Sequence, residues 1–279
     1  MIPRFWAAAL LLASTIVAAA PAPAASAPAH RIVALVPSLT EDLAALGVLD
    51  RVVGVSDFSD YPPAAKRIPI VGSFSSVATE QILALHPDLV VGITAQRRAT
   101  EDLRRAGVDV VLVQDDDFAS IFANLHLLGA LVGRAPQADA LIARLRARTA
   151  ALVRSVPRRT HQPRAFVVLG VDPIFTVGSG SYIATLLTMA GGRDATNVRT
   201  PYASSSAEAL LADQPDVLIV DGAVGFAAVR DRTPWRELHA VRDGHVATLR
   251  DAALLERPGP RYNEGLAWLI DVLRSVRTS

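Results

Sequence analysis

Pro136-Gln137-Ala138-Asp139-Ala140-Leu141-Ile142-Ala143-Arg144-Leu145-Arg146-Ala147-Arg148-Thr149-Ala150-Ala151-Leu152-Val153-Arg154-Ser155-Val156 is the stretch on which the architecture turns. Leu141, Leu145, Ala150 and Val153 recur among arginines, glycine is absent, and prolines flank both ends. Proline is tolerated in a first helical turn, and Pro157 marks the stop. The spacing predicts one helix of about 20 residues, roughly 30 Å long. On either side, short β-branched runs alternate with helical patterns, which places the chain in the α/β class. The candidate strands are Ile32–Val36, Val52–Val55, Leu89–Gly92 and Val110–Val113 before the helix, and Ala165–Leu169, Val217–Val220 and His245–Leu249 after it. Most are continuous apolar runs, as parallel strands covered on both faces should be. The expected fold is therefore two α/β lobes with mainly parallel sheets, residues 30–135 and 163–279, joined by a single long rigid helix over 136–156. A cleft between the lobes is the expected ligand site, and a rigid connector should limit hinge motion.

An internal repeat supports two related lobes. Glu80-Gln81-Ile82-Leu83-Ala84-Leu85-His86-Pro87-Asp88-Leu89-Val90-Val91 resembles Glu208-Ala209-Leu210-Leu211-Ala212-Asp213-Gln214-Pro215-Asp216-Val217-Leu218-Ile219, with Glu, Leu, Ala, Pro and Asp in register. Each copy reads as a short helix, a Pro-Asp turn and a buried strand. A glutamate opening a helix is favoured by the dipole alone. Two of them on matching lobe surfaces are also placed to dock on two basic pockets of a symmetric membrane partner.

The amino terminus differs in kind. Arg4 precedes an uncharged apolar run from Phe5 to Ala20, followed by Ala22-Pro23-Ala24 and Ala25-Ser26-Ala27. That order reads as a cleaved signal peptide over residues 1–27, with the mature chain soluble in a periplasm. The 279 residues contain no cysteine, which excludes disulfides, a thiol nucleophile and a lipid-modified cysteine anchor. The 28 basic and 27 acidic residues leave a net charge of +1 with no basic stripe, so nucleic acid is not an expected partner.

Chemistry-bearing motifs are sparse. The histidines at 30, 86, 126, 161, 239 and 245 lack His-x-x-x-His or His-Glu-x-x-His spacing, so no metal site is expected. Asp115-Asp116-Asp117 reads as an acidic helix cap. Asp172 to Gly180 is glycine-containing but lacks the Lys-[Ser/Thr] of a phosphate loop, and reads as a helix entry near Ser179 or Ser181. No Gly-x-Ser-x-Gly elbow is present, so an exported α/β enzyme is the weaker class. Ser38 with Glu41 reads as a capping box opening a helix that Gly47 stops. Only 5% of the residues are aromatic, yet Phe58, Tyr61 and Phe74 fall on segments after strands, either as a ligand platform or as plugs for core gaps.

Arg31-Ile32-Val33-Ala34-Leu35-Val36-Pro37-Ser38-Leu39-Thr40-Glu41, Val53-Gly54-Val55 with Ser59-Asp60-Tyr61-Pro62-Pro63, the Leu85–Val90 block, Phe175-Thr176-Val177-Gly178, Gly191-Gly192 and Arg257-Pro258-Gly259-Pro260-Arg261 together resemble one family. It comprises the periplasmic solute-binding proteins with a helical backbone between lobes, which serve ABC importers of cobalamin, ferric siderophores and haem. The Ser-Asp-Tyr-Pro-Pro turn and the Pro-x-Phe-Thr-x-Gly loop are most similar to the cobalamin branch. The resemblance implies ligand contacts from Pro37, Ser38, Phe58, Phe74, Phe175, Tyr202 and the segment Ala253, Leu254, Leu255, Glu256 and Arg257. It also implies that Glu80 and Glu208 dock a permease dimer, whose cytoplasmic ATPase subunits hydrolyse ATP. A monomer binding a small molecule without a cofactor is expected, with cobalamin or a related corrinoid as ligand, and a ferric siderophore or haem as the alternative; for haem, Tyr202 is a possible axial ligand. Two departures stand out. Ile93 occupies the position of an expected tryptophan, and Ala252-Ala253-Leu254-Leu255 is aliphatic where aromatics are expected.

Overall fold

The computed structural model describes residues 27–276. The export segment read at 1–27, with its candidate cleavage sites, lies outside the described residues except for Ala27. The N-terminal half runs β1 (Ile32–Ala34), α1 (Pro37–Ala45), β2 (Val52–Val55), α2 (Thr79–Ala84), β3 (Leu89–Ile93), α3 (Glu101–Arg105), β4 (Val110–Val113), α4 (Phe118–Leu131) and α5 (Ala135–Arg154). The C-terminal half continues with β5 (Arg164–Val168), β6 (Gly170–Val171), β7 (Ile174–Val177), α6 (Tyr182–Met189), β8 (Arg193–Asp194) and β9 (Tyr202–Ser204). It ends with α7 (Ala207–Asp213), β10 (Val217–Asp221), α8 (His239–Arg242), β11 (Val246–Leu249), α9 (Ala253–Glu256) and α10 (Tyr262–Ser275).

Each half is organised on a parallel four-stranded sheet, in the order β2-β1-β3-β4 and β8-β5-β10-β11. The strands are apolar throughout because both faces are covered. In β1, Ile32 and Ala34 enter one core cluster and Val33 the other. In β5, Ala165 and Val167 enter one cluster while Phe166 and Val168 enter its opposite. Alternate side chains of a strand point to opposite faces, so both sets must be apolar when helices pack on each side.

The repeat is a structural one. Ile32 pairs with Leu89 in the first sheet, and Ala165 with Val217 in the second. Asp88 accepts the backbone N–H groups of His30 (2.8 Å) and Arg31 (2.9 Å), while Asp216 accepts that of Arg164 (2.7 Å). The Arg31 guanidinium donates to the carbonyl of Leu85 (3.1 Å), and that of Arg164 to the carbonyl of Asp213 (2.6 Å). Even the backbone recurs: His86 and Gln214, preceding the two Pro-Asp turns, have φ of 47° and 39°.

The predicted connector is α5, a helix of 20 residues with Pro136 in its first turn. It does not stand alone, because α4 packs along it. Ile121 and Leu125 of α4 join Leu141 and Leu145 of α5 in the C-terminal core, while Leu128 and Ala138 belong to the N-terminal core. The two helices therefore anchor both lobes at once. Gly129 makes their close approach possible, since a Cβ there would lie 2.5 Å from that of Ala138.

The helix entries divide into expected and unexpected. Asp117 caps α4 by accepting from the Ser120 N–H (2.8 Å), and Ser181 caps α6 by accepting from that of Ala184 (3.0 Å). Gly47, with φ of 76°, follows the end of α1. The capping box at Ser38 and Glu41 does not form. Val36 is the N-cap, no side chain caps the helix, and Pro37 opens it with its preset backbone angle. Glu41 is drawn instead to two guanidinium groups. The Asp172–Gly180 stretch also departs from expectation, since Ile174–Val177 is a strand. It pairs antiparallel with β6 and β9 in a separate three-stranded sheet, and Ser181 then opens the helix.

Candidate functional site

Parallel strands bring their carboxyl ends to one edge of each sheet, where the following segments are free to form a site. Pro37 and Ser38 follow β1, and the Ser56–Tyr61 turn follows β2. Asp115 and Asp116 follow β4, while Asp221 and the Ala253–Arg257 segment lie at the ends of β10 and β11. Among the described residues, the exposed aromatic side chains are Phe58 (76% accessible), Phe74 (63%), Tyr61 (42%), Tyr202 (40%) and Phe175 (37%). Four of these are the four aromatic residues expected to bind ligand, two from each lobe. The remaining Phe and Tyr residues described are wholly or partly buried; Tyr61 is exposed like the four but lies under the Arg261 guanidinium.

The two lobes present their aromatics differently. Phe175 of β7 and Tyr202 of β9 stack with ring centroids 6.4 Å apart and planes 12° from parallel. Phe58 sits on a turn with φ of 58°, a left-handed conformation unusual for a bulky residue. Its carbonyl accepts a hydrogen bond from the Arg257 guanidinium (2.7 Å). Phe74 is on the segment before α2, where its carbonyl accepts from the buried Gln96 amide (3.2 Å).

A cluster of charges ties the lobes together beside these platforms. Glu41, only 2% accessible, accepts from Arg261 at both carboxylate oxygens (2.8 and 2.9 Å) and from Arg257 (3.0 Å). Arg257 also reaches Asp60 (2.8 Å), and Arg261 reaches Asp251 (3.0 Å) while lying 3.9 Å above the Tyr61 ring. Charge-assisted, partly bidentate bonds of this kind are strong and geometrically exacting. Breaking one partner of a buried pair costs about 3–5 kcal/mol. Glu41, Arg261, Asp60 and Asp251 were not among the sequence candidates. The signal lay in Arg257-Pro258-Gly259-Pro260-Arg261, two arginines at a fixed offset around a rigid turn, without anything to indicate their partner.

Two expected ligand contacts are otherwise engaged. Arg257 has its donors on Glu41, Asp60 and the Phe58 carbonyl, so it orients the Phe58 turn. Leu255 is 2% accessible and belongs to the C-terminal core with Leu249 and Leu266, because α9 turns its apolar side against α10. Ala253 and Leu254 are half-buried, Glu256 is exposed, and Pro37 is half-buried. Ser38 is buried near Gly259. Ile93, in the place of the expected tryptophan, is a core residue at 1% accessibility.

The electrostatics of the edge are acidic. Partial desolvation of its carboxyl, on a residue otherwise exposed, and the neighbouring Asp221 carboxylate push Glu256 up to about 7. Burial and Asp116 push Asp115 up to about 6. Burial, with Asp115, Glu256 and Asp116 nearby, pushes the Tyr202 hydroxyl up to about 12. Among the described residues, no three His, Asp or Glu side chains converge as metal ligands.

Glu80 and Glu208 occupy equivalent, exposed positions in the first turns of α2 and α7. Hydrogen bonds from its own backbone N–H and from Ser206 hold the Glu208 carboxyl below its usual range. Among the described residues, no helix is long and apolar enough to cross a membrane.

Comparison with known proteins gives a consistent account. A vitamin B12-binding protein from Vibrio cholerae serotype O1 is 31% identical over 242 residues, covering 84% of this chain and 85% of the relative. An uncharacterized ABC transporter substrate-binding lipoprotein, YvrC of Bacillus subtilis strain 168, is 29% identical over 249 residues, covering 86% of this chain and 79% of the relative. Among solved structures, the periplasmic heme-binding protein RhuT from Roseiflexus sp. RS-1 superposes with a TM-score of 0.82 at 26% identity, covering 88% of this chain and 98% of that one. The family model for periplasmic binding proteins matches residues 32–253. With two parallel-sheet lobes, a helical backbone and that match, the chain belongs to the periplasmic binding protein family, the solute-binding components of ABC importers.

Proposed function

We propose that this protein captures cobalamin or a related corrinoid between its lobes and delivers it to the permease dimer of an ABC importer. The observation that carries the reading is the set of four exposed aromatics, Phe58 and Phe74 on loops of one lobe and Phe175 and Tyr202 on paired strands of the other. Each large aromatic side chain offers about 150–250 Å² of contact surface, suited to the faces of a flat macrocycle. Relatives named as vitamin B12-binding proteins support the corrinoid. Pro37, Ser38, Ala253, Leu254 and Glu256 border the bound molecule, while Arg257 acts through the Phe58 turn.

A ferric siderophore or haem is the second reading, favoured by the likeness to a haem-binding structure. One feature weighs against haem: carboxylates at positions 115, 116 and 256 oppose its propionates, whereas the peripheral amides of a corrinoid can hydrogen-bond to them. Isothermal titration calorimetry with cobalamin, haem and a ferric siderophore tests the choice. Cobalamin should bind one to one, and heat only from haem or the siderophore would replace it with that ligand.

Glu80 and Glu208 are assigned to permease docking, with ATP hydrolysis left to the cytoplasmic subunits of the importer. The ligand leaves chemically unaltered and no cofactor takes part; recovery of a modified product would overturn this. The chain acts as a monomer exported by a cleaved signal peptide. Lacking cysteine, it has no residue for the thioether anchor of a lipoprotein.

A further inference from the structure

A crevice of about 620 Å³ borders the charge cluster between α1, α5 and the start of α10. None of Phe58, Phe74, Phe175, Tyr202 and residues 253–257 lines it, so it is distinct from the candidate ligand site. Its volume falls within the roughly 300–1,000 Å³ of small-molecule sites. Ala44 and Ala45 of α1, with Leu141 and Leu145 of α5, supply an apolar wall.

Arg144 and Arg148 supply the charge. Four residues apart on α5, they share one helix face, and both are exposed. Among the described residues neither takes part in a salt bridge. Two adjacent guanidinium groups repel each other until an anion lies between them, and their planar donors match a carboxylate or phosphate. The crevice also contains Glu41, already held by Arg257 and Arg261, and the exposed Glu264. Glu264 disfavours a polyanion, so the arrangement suits a single anionic group carried on an apolar body.

We propose that this crevice is a second binding site, taking a small amphiphilic organic anion with its carboxylate or phosphate on Arg144 and Arg148 and its apolar part against Ala44, Ala45, Leu141 and Leu145. The proposal is independent of which ligand occupies the cleft between the lobes.

The test is calorimetric titration of the purified protein with phenyl phosphate at low ionic strength. Saturable one-to-one binding is expected, at least about tenfold tighter than inorganic phosphate, with no heat from neutral benzyl alcohol. The double variant Arg144→Gln, Arg148→Gln should weaken it at least about tenfold without moving the thermal midpoint. Ala45→Phe should also weaken it, by filling the recess while leaving both arginines in place. The proposal is overturned if phenyl phosphate does not saturate or if inorganic phosphate binds as tightly. It is equally overturned if either variant keeps wild-type affinity, or if binding appears only on vesicles of anionic phospholipid.

Discussion

The N-terminal sheet places β1 between β2 and β3, and the C-terminal sheet places β5 between β8 and β10, so the two orders correspond strand for strand. The helix, turn and strand around Asp88 and Asp216 coincide down to the left-handed residue before each proline. The lobes part company in how they carry their exposed aromatics. Phe175 and Tyr202 stand on adjacent strands of an additional sheet that the N-terminal lobe lacks among the described residues, whereas Phe58 and Phe74 stand on loops. A side chain on a ladder is already ordered before a ligand arrives. One on a loop has fewer backbone restraints, so more of its contact energy is offset if it is ordered on binding. One plan thus yields a platform held by a strand ladder on one side and one held by the Arg257 and Gln96 side chains on the other.

The helix that follows each first strand extends the contrast and sets the largest expected effect. Ser181 caps α6 locally, while α1 is uncapped and spends Glu41 on the opposite lobe. Glu41→Ala should lower unfolding free energy by up to about 3–5 kcal/mol in urea titrations, because two largely buried guanidinium groups lose their shared buried carboxylate and keep only the more exposed Asp60 and Asp251. Ser181→Ala should cost only about 1 kcal/mol, as lost caps do. Similar losses for both would mean that the cluster between lobes is no stronger than a local cap.

Next in size is the comparison of platforms. Phe175→Ala with Tyr202→Ala should weaken corrinoid binding about 100-fold, and Phe58→Ala with Phe74→Ala about tenfold. Equal losses in calorimetry would remove the distinction between strand-borne and loop-borne faces, and a larger loss for the loop pair would reverse it.

Each lobe also carries one carboxyl near Tyr202 that is pushed upward. Glu256, raised to about 7 from 4.5, binds more protons folded than unfolded between those values, so its contribution to stability falls as pH rises through that window. Asp115, raised to about 6 from 3.8, does the same over a lower range. Glu256→Gln should therefore flatten the decline in thermal midpoint up to about pH 7, and Asp115→Asn only up to about pH 6. Unchanged pH profiles in both variants would contradict the shifts.

The smallest expected effect on stability belongs to Glu80→Ala with Glu208→Ala. Removing two exposed side chains should leave the urea midpoint essentially unchanged, with ligand affinity intact and uptake through the permease impaired. Lost ligand binding would contradict a docking role, and unimpaired uptake would remove it.

How far the sequence was legible follows from the range of each interaction. The strands announced themselves because burial on both faces demands unbroken apolar runs, and α5 because leucines recur along a glycine-free segment between prolines. The extra sheet was missed although Ile174-Phe175-Thr176-Val177 has β-forming residues, since the glycines after it suggested a loop. Resemblance led to Phe58, Phe74, Phe175 and Tyr202, and their exposure fits that reading. It also led to Leu255 and Arg257, where local sequence does not reveal that one side chain turns into the core and the other toward Glu41.

By itself, then, the amino-acid order determined two related α/β halves, the helix between them, and a pair of matching glutamates. These depend on periodicity, propensity and repetition, all of which act over a few residues. Only the tertiary structure decided that Glu41 meets arginines 216 and 220 positions later, that α4 shares the connector's work, and that Arg144 and Arg148 flank a recess. Such pairings are chosen by packing, which brings together residues whose separation along the chain carries no mark of their meeting.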